Sequence, residues 1–174
     1  MHVHLERFSP TELVALHELI GREVLFFAQD ITNLAVLGKD WQVNIYSKDV
    51  YCGDLKYFEV SGIGVNSERK PNYPPTPVSG FAFVPVPANT VIRDVRIAYH
   101  LWEDKWTANN EPFMLLLEGG VIIDTDHGSI AALLDPYNFS YFYPFTELEP
   151  SHESLDKELS YWANRYELVS LSER

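Results

Sequence analysis

The sequence lacks several features that would place it in a well-marked class of protein. Its 174 residues include a single cysteine, Cys52, which excludes an internal disulfide framework and fits a reducing compartment. No apolar run reaches the roughly 18 residues of a membrane-spanning helix, and residues 1–7 show no signal-peptide core. These absences predict a cytoplasmic protein with no membrane segment.

Positive charge is also scarce. The chain carries 13 Lys and Arg against 25 Asp and Glu, which gives a net charge of −12. Affinity for nucleic-acid phosphates and for anionic membrane surfaces comes from Lys and Arg. The balance therefore argues against both partners and favours a basic protein as partner.

Motifs that carry chemistry are missing as well. We find no G-x-S-x-G, H-E-x-x-H, C-x-x-C or phosphate-binding glycine loop. Asp124, Asp126 and His127 are three possible metal ligands, but on a continuous strand His127 would point away from the two aspartates, so residues 126–128 are predicted to form a turn instead. We therefore predict no catalytic residue, no metal and no cofactor.

Two helices are expected, one near each end. Ser9 and Glu12 form a capping box around Pro10, and Gly21 is placed to end the first helix. The second is predicted from a stripe at helical spacing that comprises Leu155, Leu159, Trp162 and Tyr166. Residues 168–171 are expected either to fray or to return as a short strand.

The sequence between these helices has the alternation of strands. Residues 32–37 and 41–47 read as a hairpin around a turn at 38–40, and residues 113–118 and 121–125 as a hairpin around Gly119-Gly120. Strands do not alternate with helices, so a parallel sheet is not expected. We predict a single α+β, mainly β domain over residues 1–174, with about eight strands. The expected architecture is a curved antiparallel sheet, a sandwich or a partly open barrel.

The acidity is concentrated in one region. Residues 103–160 hold twelve acids and two bases, whereas residues 1–102 hold eleven acids and nine bases. The acidic region also contains the densest aromatic run, since six of the nine residues 137–145 are Tyr or Phe. A strand buries alternate residues on one face, so some of these rings must lie against a helix or a partner.

Acids beside exposed aromatic rings suit a basic protein, because acids steer and pair with Lys and Arg while rings supply buried area. The alternative is a solvated acidic face with its rings covered by the C-terminal helix. The predicted partner-binding residues are Glu103, Asp104, Glu111, Glu118, Asp124, Asp126, Tyr137, Tyr141, Tyr143, Glu147 and Glu149.

These features lead to three functional hypotheses. The first is a non-catalytic inhibitor or immunity-type protein that neutralises a basic partner such as a nuclease toxin. The second is a small-molecule-binding protein or hydrolytic enzyme, in which His100 with Glu103 or Asp104 acts as acid and base. Its pocket would be lined by Trp41, Tyr99, His100, Trp102, Trp106 and Tyr141. The third is a subunit of a homo-oligomer.

Overall fold

The computed structural model describes residues 2–51, 59–68, 82–104, 113–134, 142, 148 and 166–173. This part of the chain contains one helix and ten strands. In chain order they are β1 (His2–Glu6), α1 (Pro10–His17), β2 (Phe26–Gln29), β3 (Asn33–Leu37), β4 (Gln42–Tyr51), β5 (Glu59–Glu68), β6 (Ala82–Pro85), β7 (Ile92–Asp104), β8 (Phe113–Thr125), β9 (Gly128–Leu133) and β10 (Tyr166–Ser170).

The described strands form two sheets. The first has the order β1-β8-β7-β10, with β9 also paired to β8, and the second has the order β5-β4-β3-β2-β6. Every pairing is antiparallel except that of β1 with β8. The mainly β prediction is therefore confirmed. Neither sheet closes on itself among these strands, so the barrel alternative is not confirmed, and a single domain over residues 1–174 stays a prediction.

One hydrophobic cluster joins both sheets to the helix. Val95, Ile97 and Val121 of the first sheet belong to the same buried cluster as Val36 of the second and Leu16 of α1. Alternation along the strands places these side chains on the facing surfaces of the two sheets. Burial of this apolar surface is the main stabilising contribution to the fold.

The predicted capping box is confirmed, and it does more than start the helix. The Ser9 N–H donates to Glu12 Oε2 at 2.8 Å, and the Glu12 N–H donates to Ser9 Oγ at 3.3 Å. The other carboxylate oxygen of Glu12 accepts from the Val65 N–H at 3.1 Å and lies 3.7 Å from Lys48 Nζ. Glu12 of the capping box thus connects α1 to β4 and β5 of the second sheet.

The hairpin around residues 38–40 is confirmed, but the one around Gly119-Gly120 is wrong. β8 runs without a break through both glycines and pairs with β7 along its length. Ala98 faces Gly120 while Tyr99 faces Glu118, which leaves Gly119 as the extra residue of a β-bulge. The two glycines allow neighbouring side chains to pack closely against the backbone of β8. The chain turns at residues 126–127 instead, as the sequence predicted.

Both ends of the chain depart from the predictions. Tyr166, expected in the C-terminal helix, instead begins β10 and pairs with His100. Of the two alternatives for residues 168–171, the structure shows the short strand, since Leu168 and Val169 pair with β7. Residues 155, 159 and 162 lie outside the described part, so the helix there stays a prediction. At the other end, His2–Glu6, for which no strand is predicted, forms β1 and pairs in parallel with β8 over Phe113–Leu117.

Gly120 supplies a test of this packing. A Cβ atom at Gly120 would lie 2.9 Å from Ala98 Cβ and 2.6 Å from Leu133 Cδ2. Because Ala98 has no rotamer to change, we expect Gly120→Ala to lower the free energy of unfolding by about 1–3 kcal/mol. Urea unfolding followed by fluorescence measures this change. Ser67→Ala, at an exposed position of β5, is the control, and an equal loss in both variants would contradict the overpacking account.

Candidate functional site

The structure describes five of the eleven predicted partner-binding residues. These are Glu103, Asp104, Glu118, Asp124 and Asp126. Glu103 and Asp104 end β7, where they pair in register with Met114 and Phe113. The remaining six lie outside the described residues, namely Glu111, Tyr137, Tyr141, Tyr143, Glu147 and Glu149.

Asp124 is engaged inside the protein. Its carboxylate accepts two hydrogen bonds from Arg96, from Nε at 2.6 Å and from Nη2 at 2.9 Å, and a third from Ser129 Oγ at 2.5 Å. The Arg96 and Asp124 side chains are only 15% and 11% exposed. This bidentate pair joins β7, β8 and β9, so the charge of Asp124 is already neutralised within the first sheet.

Asp126 lies in the turn between β8 and β9 and is more accessible. It accepts from the Val91 N–H at 3.0 Å and from Arg93 Nη2 at 3.2 Å. The hydrogen bond from Val91, together with the charges of His127 and Arg93, lowers the pKa of Asp126. This carboxylate is therefore ionised at pH 7 and adds to the surface potential.

Glu118 fastens the segment that follows β1. Its side chain is buried, with the residue 5% exposed, and its carboxylate accepts a hydrogen bond from the Phe8 N–H. Glu118 pairs in register with Tyr99, beside the bulge at Gly119. The sequence predicts Glu118 as a partner-binding acid. In the structure it instead holds the segment that follows β1 against β8.

The aromatic run is fixed to the body of the protein at Phe142. This residue is buried and forms a β-bridge with Leu134, just after β9. Its N–H donates to the carbonyl of Ile31 at 2.7 Å, and Ile31, in the turn between β2 and β3, is 55% exposed. The centre of the run therefore lies beside an exposed apolar side chain of the second sheet.

His100 is buried in the first sheet. It is 8% exposed, its Nε2 has no hydrogen-bond partner among the described residues, and burial lowers its pKa to about 4. The backbone positions of Glu103 and Asp104 lie three and four residues further along β7, roughly 10 and 13 Å away. This spacing does not favour a direct acid–base pair with either residue, and the imidazole is neutral at pH 7.

Neither a metal-binding cluster nor a membrane-spanning helix is present in the described part of the chain. The described residues contain no group of three or more His, Cys, Asp or Glu that could hold a metal ion. Among the same residues, no helix has the length and apolar character needed to cross a membrane.

Comparisons with known proteins do not assign the chain to a family. No protein-family model, curated protein or solved structure matches this chain. A functional proposal therefore depends on the charges, contacts and exposure of its own residues.

Sequence reasoning missed several residues that matter here. Arg96 and Ser129 were not singled out, although an arginine within the apolar alternation of β7 is a signal that a buried partner exists. Nothing local in the sequence marks Ile31 or Phe142, because their contact joins segments more than a hundred residues apart.

Two arginines of β7 test the burial of the Asp124 pair. Arg96→Met removes the guanidinium from a buried carboxylate, and we expect a loss of about 3–5 kcal/mol in the free energy of unfolding. Arg93→Met is the matched control, since Arg93 is 62% exposed and pairs at the surface. Thermal and urea unfolding of both variants measure the difference. Equal and small losses would show that the Arg96 pair contributes no more than a surface ion pair.

Proposed function

We propose that the protein is a non-catalytic binding protein of the inhibitor or immunity type, which neutralises a basic partner such as a nuclease toxin in the cytoplasm. The observation that carries this proposal is the segregation of charge. Residues 103–160 hold twelve acids against Lys105 and Lys157, and the same region contains the aromatic run 137–145. A nuclease that holds phosphate must be basic, so such a surface can imitate its substrate.

Two of the predicted partner-binding acids already have partners inside the protein, so fewer acids are left for the proposed surface. Asp124 is bound to Arg96, and Glu118 is buried against the Phe8 N–H, so these two acids contribute little to an external contact. We assign the electrostatic part of the surface to the remaining predicted acids. They are Glu103, Asp104, Glu111, Asp126, Glu147 and Glu149.

The aromatic part of the surface is supported by the anchoring of Phe142. Phe142, in the middle of the run, is buried, and its N–H donates to the carbonyl of the exposed Ile31. Tyr141 and Tyr143 are its neighbours in the sequence, and Tyr137 begins the same run. We therefore propose Tyr141 and Tyr143, with Tyr137, as the rings that supply buried contact area beside the acids.

Long-range attraction predicts how such a partner is captured. Surface charges of opposite sign raise association rates by 10–1000-fold at low salt, and added salt screens this effect within about 10 Å at 0.1 M. Fast capture suits an inhibitor that must act before its target does. A contact held by apolar burial alone has no comparable salt dependence.

The partner is identified by photo-crosslinking in the cells that make the protein. A photoreactive residue replaces Tyr143, and one at the exposed Leu25 serves as control. We expect the Tyr143 probe to capture a basic protein whose activity the purified chain inhibits. An acidic partner, a second copy of this chain, or no product specific to Tyr143 would overturn the proposal.

The kinetics of the captured pair give the sharper test. We expect the association rate to fall at least tenfold between 20 and 300 mM salt, and Glu147→Gln with Glu149→Gln to slow association at low salt. The matched control is Glu23→Gln with Asp40→Asn, which removes two exposed acids outside the acidic region. Equal slowing by both pairs, or a rate independent of salt, would contradict a localised acidic surface.

A second candidate function is a small-molecule site inside the first sheet, and the orphan nitrogen of His100 is the observation that favours it. A bound ligand with a hydroxyl or amide group would complete the hydrogen bonding of Nε2. The test adds a small-molecule extract of the producing cells to protein labelled with ¹⁵N-histidine. A shift of the His100 Nε2 resonance supports a ligand, and an unchanged resonance removes this candidate.

A further inference from the structure

His100 occupies a space that the bulge on β8 provides. A Cβ atom at Gly119 would lie 2.8 Å from His100 Nδ1 and 3.0 Å from its Cγ, so the ring fills the volume left by the missing side chain. Leu117, which pairs with His100 in register, also lies against Gly119. The imidazole is thus buried against Gly119, with His100 8% exposed, while its Nε2 has no partner among the described residues.

The same place is a junction of the first sheet. β1 ends opposite Leu117, the Leu134 N–H donates to the Gly119 carbonyl at 3.0 Å just after β9, and β10 begins opposite His100. The ladder between β7 and β8 shifts register here. A bulge leaves one residue unpaired, so the hydrogen-bonded ladder is locally weaker at this point.

Among the described residues, few charged or titratable groups lie near His100. On β8, Glu118 is next to Gly119, and its carboxylate is taken by the Phe8 N–H. On β7, Arg96 is bound to Asp124. On the neighbouring strands, Tyr166 of β10 pairs with His100, and Glu6 of β1 pairs with Leu117. Burial, rather than any charge, is what lowers the pKa of His100.

We propose that His100 is an acid-sensitive latch, whose protonation opens the first sheet at the Gly119 bulge while the second sheet stays folded. An imidazolium cannot remain buried without a partner, so it must reach water. Opening at the junction exposes it while leaving the pairing of β2 to β5 intact. This inference concerns the stability of the sheet and does not depend on the proposed partner.

The direction of the effect follows from the lowered pKa. A histidine whose pKa falls from 6.5 to about 4 on folding favours the closed sheet fully above pH 6.5. As the pH falls towards 4, the opening equilibrium rises tenfold per unit, which gives about a 300-fold rise in all. Between pH 7 and pH 4.5 the expected rise is about 60-fold.

Hydrogen exchange of single amides measures this opening. We expect protection, corrected for the intrinsic effect of pH, to fall about 60-fold from pH 7 to pH 4.5 at residues 98–101 and 117–119. Amides of residues 34–37 and 43–46 in the second sheet should lose far less. An equal loss in both sheets would mean global acid unfolding and would overturn the latch.

Variants of His100 assign the effect to this ring. His100→Gln and His100→Leu should remove the extra loss of protection in the first sheet, whereas His17→Gln, at an exposed helix position, should retain it. A titration of the wild-type imidazole by NMR needs no variant and decides the matter if both variants misfold. A His100 midpoint near 6.5, or an unchanged pH response in His100→Gln, would contradict the proposal.

Discussion

The first sheet depends on one long antiparallel pair, β7 with β8. Every other strand of the first sheet attaches to one of these two, and residues of both enter the cluster that joins the sheets. A slip of one residue in their register would exchange the two faces of each strand. The buried pair of Arg96 with Asp124 resists such a slip, because the displaced carboxylate would lose its guanidinium and the hydroxyl of Ser129. The ion pair between Arg96 and Asp124 therefore contributes mainly to selecting the register of β7 against β8.

Local signals in the sequence predicted local structure well. The capping box of Ser9 and Glu12, the hairpin around residues 38–40 and the turn at residues 126–127 each depend on neighbouring residues, and each is confirmed. The hairpin predicted around Gly119-Gly120 is wrong because two adjacent glycines suit a turn and a bulge equally. The helix prediction is wrong at Tyr166 because apolar residues at helical spacing do not show where the last turn of the helix ends. β1 was missed because a parallel partner more than a hundred residues away leaves no local trace.

The candidate site shows the same division between what is local and what is not. Counting acids located the charged region, but the count could not tell which carboxylates were already bound. Arg96 precedes Asp124 by 28 residues, and Phe8 precedes Glu118 by 110. Both contacts withdraw an acid from the surface that composition alone assigns to it. Six of the eight predicted acids therefore remain in the proposed surface, namely Glu103, Asp104, Glu111, Asp126, Glu147 and Glu149.

The two strands on one side of β8 have a consequence for solubility. β1 covers Phe113–Leu117 and β9 covers Gly120–Thr125, so together they pair nearly the whole of that edge. An uncovered strand of thirteen residues, rich in Leu, Ile and Val, would present a long row of amide and carbonyl groups to other chains. The short strand β1 therefore shields the apolar Phe113–Leu117 part of β8 from intermolecular pairing.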